Sequence, residues 1–360
     1  MIGGSGFLGQ RITRQAQLAG HAVIATFHAH IPAATEVEWR NLDIRRRDDV
    51  MALARRVRPD LLVNAAYRQS DWETTADGGA NVALAAAAIG ARLVHVSSDA
   101  VFSGSASSYD ETRPPDPTTP YGAAKAAAET AVKGISPTAI IARTSLIIGD
   151  GDSPHERLVH ALASGAAAGA LFTDDIRCPV DVTDLASALL ELAASPHAGV
   201  HHVAGTDAIS RYELGVLIAG RDGLDPAALV PGLRAATDLP GPLDVRLDST
   251  KTQARLTTRL RGARDFLAPM PAAGLRQLPG EGCDGENLPV QAGVVFEAEL
   301  LLPGDGEVGH AAGLVGLHQR DHRAAGAGAE VELQAAPRSG GAAHGLVVER
   351  GDWQAVDERG

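Results

Sequence analysis

What this chain lacks narrows it before any motif is read. Aromatic residues make up only 4% of its 360 residues, so a core must be assembled mainly from Ala, Val, Leu and Ile. Cysteine occurs twice, at Cys178 and Cys283, which supplies neither a metal-ligand spacing nor a disulfide framework. That usage fits a reducing, cytoplasmic compartment. No run approaches the ~18 consecutive apolar residues of a membrane span. No basic stretch followed by an apolar one opens the chain as a secretory signal. Lysine is nearly absent: Lys125, Lys133 and Lys251 are the only three, and arginine carries the rest of the positive charge. The formal net charge of −12 argues against the basic face of a nucleic-acid binder.

What is present is α/β alternation. In residues 1–150, strand patterns fall at 21–27, 60–64, 91–97 and 138–144. Helix patterns fall at 10–19, 46–57, 79–89 and 121–132, with Gly20 as the first stop. This spacing predicts a Rossmann-type, doubly wound parallel sheet that binds NAD(P). Residues 151–267 are more mixed. They hold helix patterns at 153–165 and 182–194, a strand at 199–203, and a helix opened by Ser210 with Glu213 as a capping box. They are expected to form a small substrate lobe, interleaved with the first domain, over the carboxyl edge of the sheet. Residues 268–360 contain no Lys, Ile, Thr or Tyr and are dense in Gly, Ala and Pro. A low-complexity tail or an out-of-frame translation of GC-rich DNA is expected there, the second being favoured.

The first chemical motif is Gly3-Gly-Ser-Gly-Phe-Leu-Gly9, directly before a helix. Gly3, Gly6 and Gly9 let backbone approach a pyrophosphate, and the helix N-terminus offers N–H donors. Only Met1 and Ile2 precede it, so most of the central first strand is expected to be missing, with its neighbours' main chain unpaired. A start codon placed too far downstream is the expected cause. The second strand ends in Thr26-Phe-His-Ala-His30, without the acidic residue that binds the ribose of NAD. His28 there tolerates a 2′-phosphate, which favours NADP with NAD as the alternative. Asp43 and Ile44 can flank the adenine.

Tyr121-Gly-Ala-Ala-Lys125 puts a phenol and an ammonium one helical turn apart on one face. The ammonium is expected to lower the phenol's pKa, so that Tyr121 passes a proton to a carbonyl oxygen as hydride reaches the carbon. Ser98 closes the preceding strand in His95-Val-Ser-Ser-Asp-Ala-Val-Phe102 and can donate to the same oxygen.

These motifs, with Leu62-Val-Asn-Ala-Ala66, Pro120-Tyr-Gly-Ala-Ala-Lys125 and Ala142-Arg-Thr-Ser-Leu146, resemble the extended short-chain dehydrogenases in order and spacing over residues 1–267. The likeness is nearest to dTDP-4-dehydrorhamnose reductases and similar sugar-nucleotide reductases. The resemblance implies that Ser98, Tyr121 and Lys125 are catalytic. It implies that Gly6, Phe7 and Leu8 meet the pyrophosphate, and that Asp43 and Ile44 lie by the adenine. Ala65, Ala66 and Tyr67 line the cofactor cleft, Asn81 lies near it, and Lys125 holds the nicotinamide ribose. Ser98 and Asp99 touch the sugar. Leu146 stands where such reductases usually carry a substrate-contacting Trp. Asp174-Asp-Ile-Arg-Cys-Pro-Val180 replaces their Asp-Gln-x-Gly-x-Pro-Thr segment, with Arg177 as a candidate for a phosphate or carboxylate, or else a surface residue.

The expected function is reduction of a nucleotide-linked keto-sugar, with no metal and no nucleic-acid or membrane partner; a homodimer is compatible with the sequence. Ala100 after Asp99 disfavours a dehydratase, which needs an acid–base pair there. An NAD-retaining epimerase and a catalytically silent NADP-binding regulatory subunit are the alternatives.

Overall fold

Short apolar runs, buried on both faces, build a parallel sheet. The computed structural model describes residues 1–31 and 37–268. Its longer strands are β1 (Ile24–Phe27), β2 (Glu38–Asn41), β3 (Leu61–Asn64), β4 (Arg92–Ser98) and β5 (Ile140–Thr144). The short strands β6 (Ile147–Ile148), β7 (Leu171–Phe172), β8 (Ile176–Arg177) and β9 (Val180–Asp181) follow. After them come β10 (Gly199–His202), β11 (Ile209–Ser210) and β12 (Pro231–Gly232). β3, β4, β5 and β10 pair in that order, all parallel, and β1 pairs parallel with β2.

Met1 and Ile2 occupy the slot between β1 and β3. Thr26 N donates to Met1 O at 2.8 Å, Ile2 N to Val63 O at 2.8 Å, and Ala65 N to Ile2 O at 3.1 Å. The expected loss of pairing is therefore corrected where it matters most. Two residues suffice to pair the carboxyl ends of both neighbours, from which the glycine turn departs.

The long helices are α1 (Phe7–Leu18), α2 (Arg47–Val57), α3 (Gly78–Ile89), α4 (Pro120–Ile135), α5 (Pro154–Ala163), α6 (Val182–Ala194) and α7 (Arg211–Asp222). Strand residues alternate between two cores. Val63, Val94, Val96 and Ile140 pack with α1 and α6 through Ile12, Leu185 and Leu189. Leu62, Leu93 and Ile141 pack with α2, α3 and α4 through Val50, Val82 and Val132. This is the doubly wound arrangement expected, and each large aliphatic side chain so buried contributes roughly 2 kcal/mol. Scarce aromatics are replaced by close approach: a Cβ on Gly79 of α3 would lie 3.1 Å from Ala128 of α4 and 3.1 Å from the His95 ring.

Three local features differ from expectation. β2, with the sequence Glu-Trp-Arg-Asn, has no apolar alternation to betray it. A π turn, Glu73–Asp77, leads into α3. At α7, Ser210 accepts from Glu213 N at 3.0 Å, but the Glu213 carboxylate turns to Arg264, so the expected box closes on one side only. The two-sided capping box is Ser153 with Glu156, at the start of α5. Beyond the sheet, Leu146, Val159, Leu171, Ile209, Leu214 and Ile218 form a separate apolar cluster for the second lobe. The expectation for the tail falls on residues 269–360, outside the described residues.

Two core histidines make the fold acid-sensitive. His95 and His202 are 1% and 0% exposed. His95 Nε2 and both ring nitrogens of His202 lack a hydrogen-bond partner. Burial lowers their pKa values to about 3 and about 4. The unfolded chain takes up these protons first, so stability is intact above pH 6.5 and falls as pH drops toward these values. At pH 5 each histidine is expected to cost about 2 kcal/mol. Urea midpoints measured from pH 7 to pH 5 should fall accordingly; a flat series would contradict this account.

Candidate active site

The site is assembled where β4 ends and α4 begins. Ser98, the last residue of β4, accepts Ala100 N at 3.2 Å and so caps the turn that follows. Thr119 caps α4 through Gly122 N at 3.1 Å, and Pro120 fixes its first turn. A Cβ on Gly122 would sit 2.1 Å from Ala100 O, so only glycine lets α4 press against the Ser98 turn. Tyr121 is thereby brought beside Ser98.

Lys125 lies one turn further on and is 2% exposed. Its Nζ donates to Val96 O at 3.0 Å and stands 4.7 Å from the Tyr67 ring centroid and 5.9 Å from that of Tyr121. Burial lowers its pKa to about 8, against the opposing pull of Glu129. Glu129 is held by Ser97 Oγ at 2.5 Å and by a forked pair with Arg143, closest at 2.7 Å. Arg143 also donates to Arg113 O at 3.1 Å and lies over the Phe102 ring.

The Tyr121 phenol is pushed well above its ordinary pKa, first by burial and then by Tyr67, with the nearby Ser98 hydroxyl pulling the other way. This reverses the expected lowering by Lys125. The ammonium is turned to the Val96 carbonyl and the Tyr67 face, and desolvation of the phenolate wins.

The glycine turn has the shape a dinucleotide needs. Gly3 has φ +74° and a Cβ there would meet Ala66 N at 2.7 Å. A Cβ on Gly9 would be 2.1 Å from Gly3 O. Gly6 caps α1 with no side chain, so the first N–H groups of that helix are unshielded. Gly3 N donates to Thr26 Oγ1 at 3.2 Å, which ties the turn to β1. The residues present therefore fit a pyrophosphate.

The other candidates are distributed as follows. Phe7 packs beside Leu8, whose side chain is core. Asp43 pairs with Arg45 at 2.7 Å, which holds its carboxyl below the usual range, and His28 Nε2 is 3.8 Å away. Ile44 is 4% exposed and belongs to the core. Asn81 Nδ2 donates to Ile44 O at 3.0 Å and Arg45 O at 3.2 Å, holding this loop rather than the Tyr121 cluster. Ala65 and Ala66 lie under Gly3. Asp99 accepts Ser145 Oγ at 2.7 Å and Ser98 Oγ at 3.2 Å. Leu146 is buried in the second lobe's cluster. Arg177 is not a surface residue: it is 6% exposed, ion-paired with Asp175 at 2.7 Å, with Nε 3.7 Å from Asp99. Sequence reading missed Glu129, Arg143 and Ser145. The four-residue step from Lys125 to Glu129 was the available signal.

Residues 1–273 match the family model of the RmlD substrate binding domain. The chain belongs to this family. It is 30% identical over 291 residues to the probable low-salt glycan biosynthesis reductase Agl14 of Haloferax volcanii, covering 76% of this chain and 97% of that one. It is 31% identical over 293 residues to dTDP-4-dehydrorhamnose reductase of Mycobacterium tuberculosis, covering 76% and 92%. A hypothetical dTDP-4-dehydrorhamnose reductase from Sulfolobus tokodaii superposes with TM-score 0.63 at 27% identity, over 72% of this chain and 95% of that one. The dTDP-4-dehydrorhamnose reductase of Bacillus anthracis, solved with NADP, shares the fold with TM-score 0.63 at 22% identity, over 74% and 95%. The chain is accordingly an NAD(P)-dependent oxidoreductase similar to the sugar-nucleotide reductases.

Gly9→Ala tests the cradle. Its new methyl meets main chain that cannot give way, so NADPH affinity, read by fluorescence titration, should fall by about 10-fold or more while circular dichroism still reports a folded chain.

Proposed function

We propose that this chain reduces the keto group of a nucleotide-linked sugar with NADPH. The convergence of Ser98, Tyr121 and Lys125 beside the glycine cradle carries this reading. The named reductases among its relatives support a dTDP-linked keto-sugar as the substrate class. NADPH is preferred because no acidic residue follows β1 to claim a ribose 2′-hydroxyl.

Gly3, Gly6 and Gly9 would hold the pyrophosphate, and Lys125 the nicotinamide ribose. When bound, the reduced cofactor supplies hydride. Ser98 Oγ donates to the substrate's carbonyl oxygen and fixes it. Tyr121, kept protonated at neutral pH by its raised pKa, donates its phenolic proton to that oxygen. The Lys125 ammonium then offsets the charge left on the phenolate. Asp99 is engaged by Ser145 and Arg177, and Ala100 follows it, which supports reduction over dehydration.

Tyr121→Phe should lower kcat on nucleotide keto-sugars by about 10²–10⁴-fold, with the Kd for NADPH nearly unchanged. A wild-type chain that binds NADPH yet transfers no hydride across such a panel would instead be the regulatory subunit. Lys125 titrates at about 8, so kcat/KM should fall as pH rises through that value and its ammonium is lost. A pH–rate profile flat to pH 10 would rule out this role for Lys125.

A further inference from the structure

The Lys125 ammonium has three N–H donors and nothing to accept with. One donor goes to Val96 O at 3.0 Å, and among the described residues this is its one hydrogen bond. The ring of Tyr67 stands against the same ammonium, its centroid 4.7 Å from Nζ, and only 2% of Lys125 is exposed. Tyr67 also leans on Tyr121, with centroids 5.7 Å apart and the rings tilted by 44°. A π face is a weaker partner for a buried cation than a hydroxyl oxygen within hydrogen-bond reach.

Tyr67 itself is 44% exposed and lies outside every helix and strand. Its main chain is nevertheless fixed on both sides. Ala66 N donates to Asn64 Oδ1 at 3.1 Å. Arg68 N donates to Thr75 Oγ1 at 3.1 Å, and that hydroxyl donates back to Arg68 O at 2.7 Å. The freedom at this position therefore belongs to the side chain, whose χ1 wells swing the ring without moving the loop. The residue before it touches the glycine cradle, since a Cβ on Gly3 would meet Ala66 N at 2.7 Å. A dinucleotide with its pyrophosphate on Gly3, Gly6 and Gly9 and its nicotinamide ribose on Lys125 has to run past Tyr67.

We propose that Tyr67 is a positioning residue that gates Lys125: its ring and the hydroxyls of the nicotinamide ribose compete for the same face of the ammonium, and the ring yields when the ribose binds. This rests on the reading of Lys125 as the group that holds that ribose. The exchange gives the buried cation hydroxyl oxygens in place of a π face. It also withdraws the second phenol from beside Tyr121 once the cofactor is seated. Exposed side chains change rotamer in picoseconds to nanoseconds, so the gate acts on affinity and not on rate. The measured Kd is the intrinsic one divided by the fraction of chains with the ring turned away. A cofactor fragment without the nicotinamide ribose does not feel the ring.

The test is made on the full chain. In calorimetric titration Tyr67→Ala should bind NADPH about 3- to 10-fold more tightly than the wild type. Adenosine 2′,5′-bisphosphate, which lacks the nicotinamide ribose, should bind both equally. Tyr67→Phe keeps the ring and should behave as the wild type does. Tyr67→Leu, which removes the π face at smaller loss of volume, carries the affinity measurement if the alanine variant fails to fold. Labelling with acetic anhydride reads the cover itself, because a chain with three lysines lets mass spectrometry follow Lys125 alone. Lys125 should be acetylated about 5-fold faster or more in Tyr67→Ala, and NADPH should suppress the reaction. A folded Tyr67→Ala that binds NADPH no more tightly, or whose Lys125 is labelled no faster, would overturn the proposal, as would a Tyr67→Phe that behaves like the alanine variant. The two readings separate. Tighter NADPH binding by Tyr67→Ala, with no keto-sugar reduced by the wild type, sinks the reductase and leaves the gate standing. Keto-sugar reduction by a wild type whose NADPH affinity Tyr67→Ala does not raise does the reverse.

Discussion

An ammonium that water barely reaches organises the carboxyl edge of β4. Burying a charge is expensive unless other groups answer it, and Lys125 is answered from three directions. The Val96 carbonyl accepts from it, the Tyr67 ring lies beneath it, and Glu129 faces it from the next turn of α4. Glu129 then needs partners of its own, which Ser97 and Arg143 supply. Arg143 in turn rests on the Arg113 carbonyl and the Phe102 face. One buried charge thereby fixes α4 against β4 and β5. Such networks add little net stability, but they specify a register, and register is what places Tyr121 at Ser98.

A second charged network starts on the other side of Ser98. Asp99 accepts Ser98 and Ser145, and it stands near Arg177, which runs through Asp175 to Arg211 and Arg234. The sheet thus presents an amine-centred cluster on one flank of Ser98 and a guanidinium-centred one on the other. The first suits proton transfer.

Much of this was legible in the sequence because each signal was local. The glycine spacing, the Tyr-to-Lys step and the apolar runs of β3, β4 and β5 each follow from a few adjacent residues. What escaped was either unpatterned or distant. β2 pairs through its backbone and shows charged side chains. The raised pKa of Tyr121 depends on how α4 is buried and on where Lys125 turns, and the residue spacing encodes neither. Arg211 and Arg234 sit 23 residues apart and meet only because Asp175, just before β8, gathers them. Arg177 was a candidate in the sequence, but its donors are directed inward by three carbonyls that no motif foretells.

The π turn at Glu73–Asp77 gives the segment before α3 its own phase. A π turn holds one residue more than an α turn, and each α-helical residue advances the helix by about 100°. The turn joins the Tyr67 loop, through the Thr75–Arg68 bonds, to α3, which is locked by Val82, Ala83 and Ala86 in the core. A single-residue deletion inside the turn would shift the phase of the upstream segment by about 100°, slightly more than a quarter turn. Chain length at this one place therefore bears on the aim of the aromatic face beneath Lys125, because Thr75 of the turn is bonded to Arg68, the residue after Tyr67.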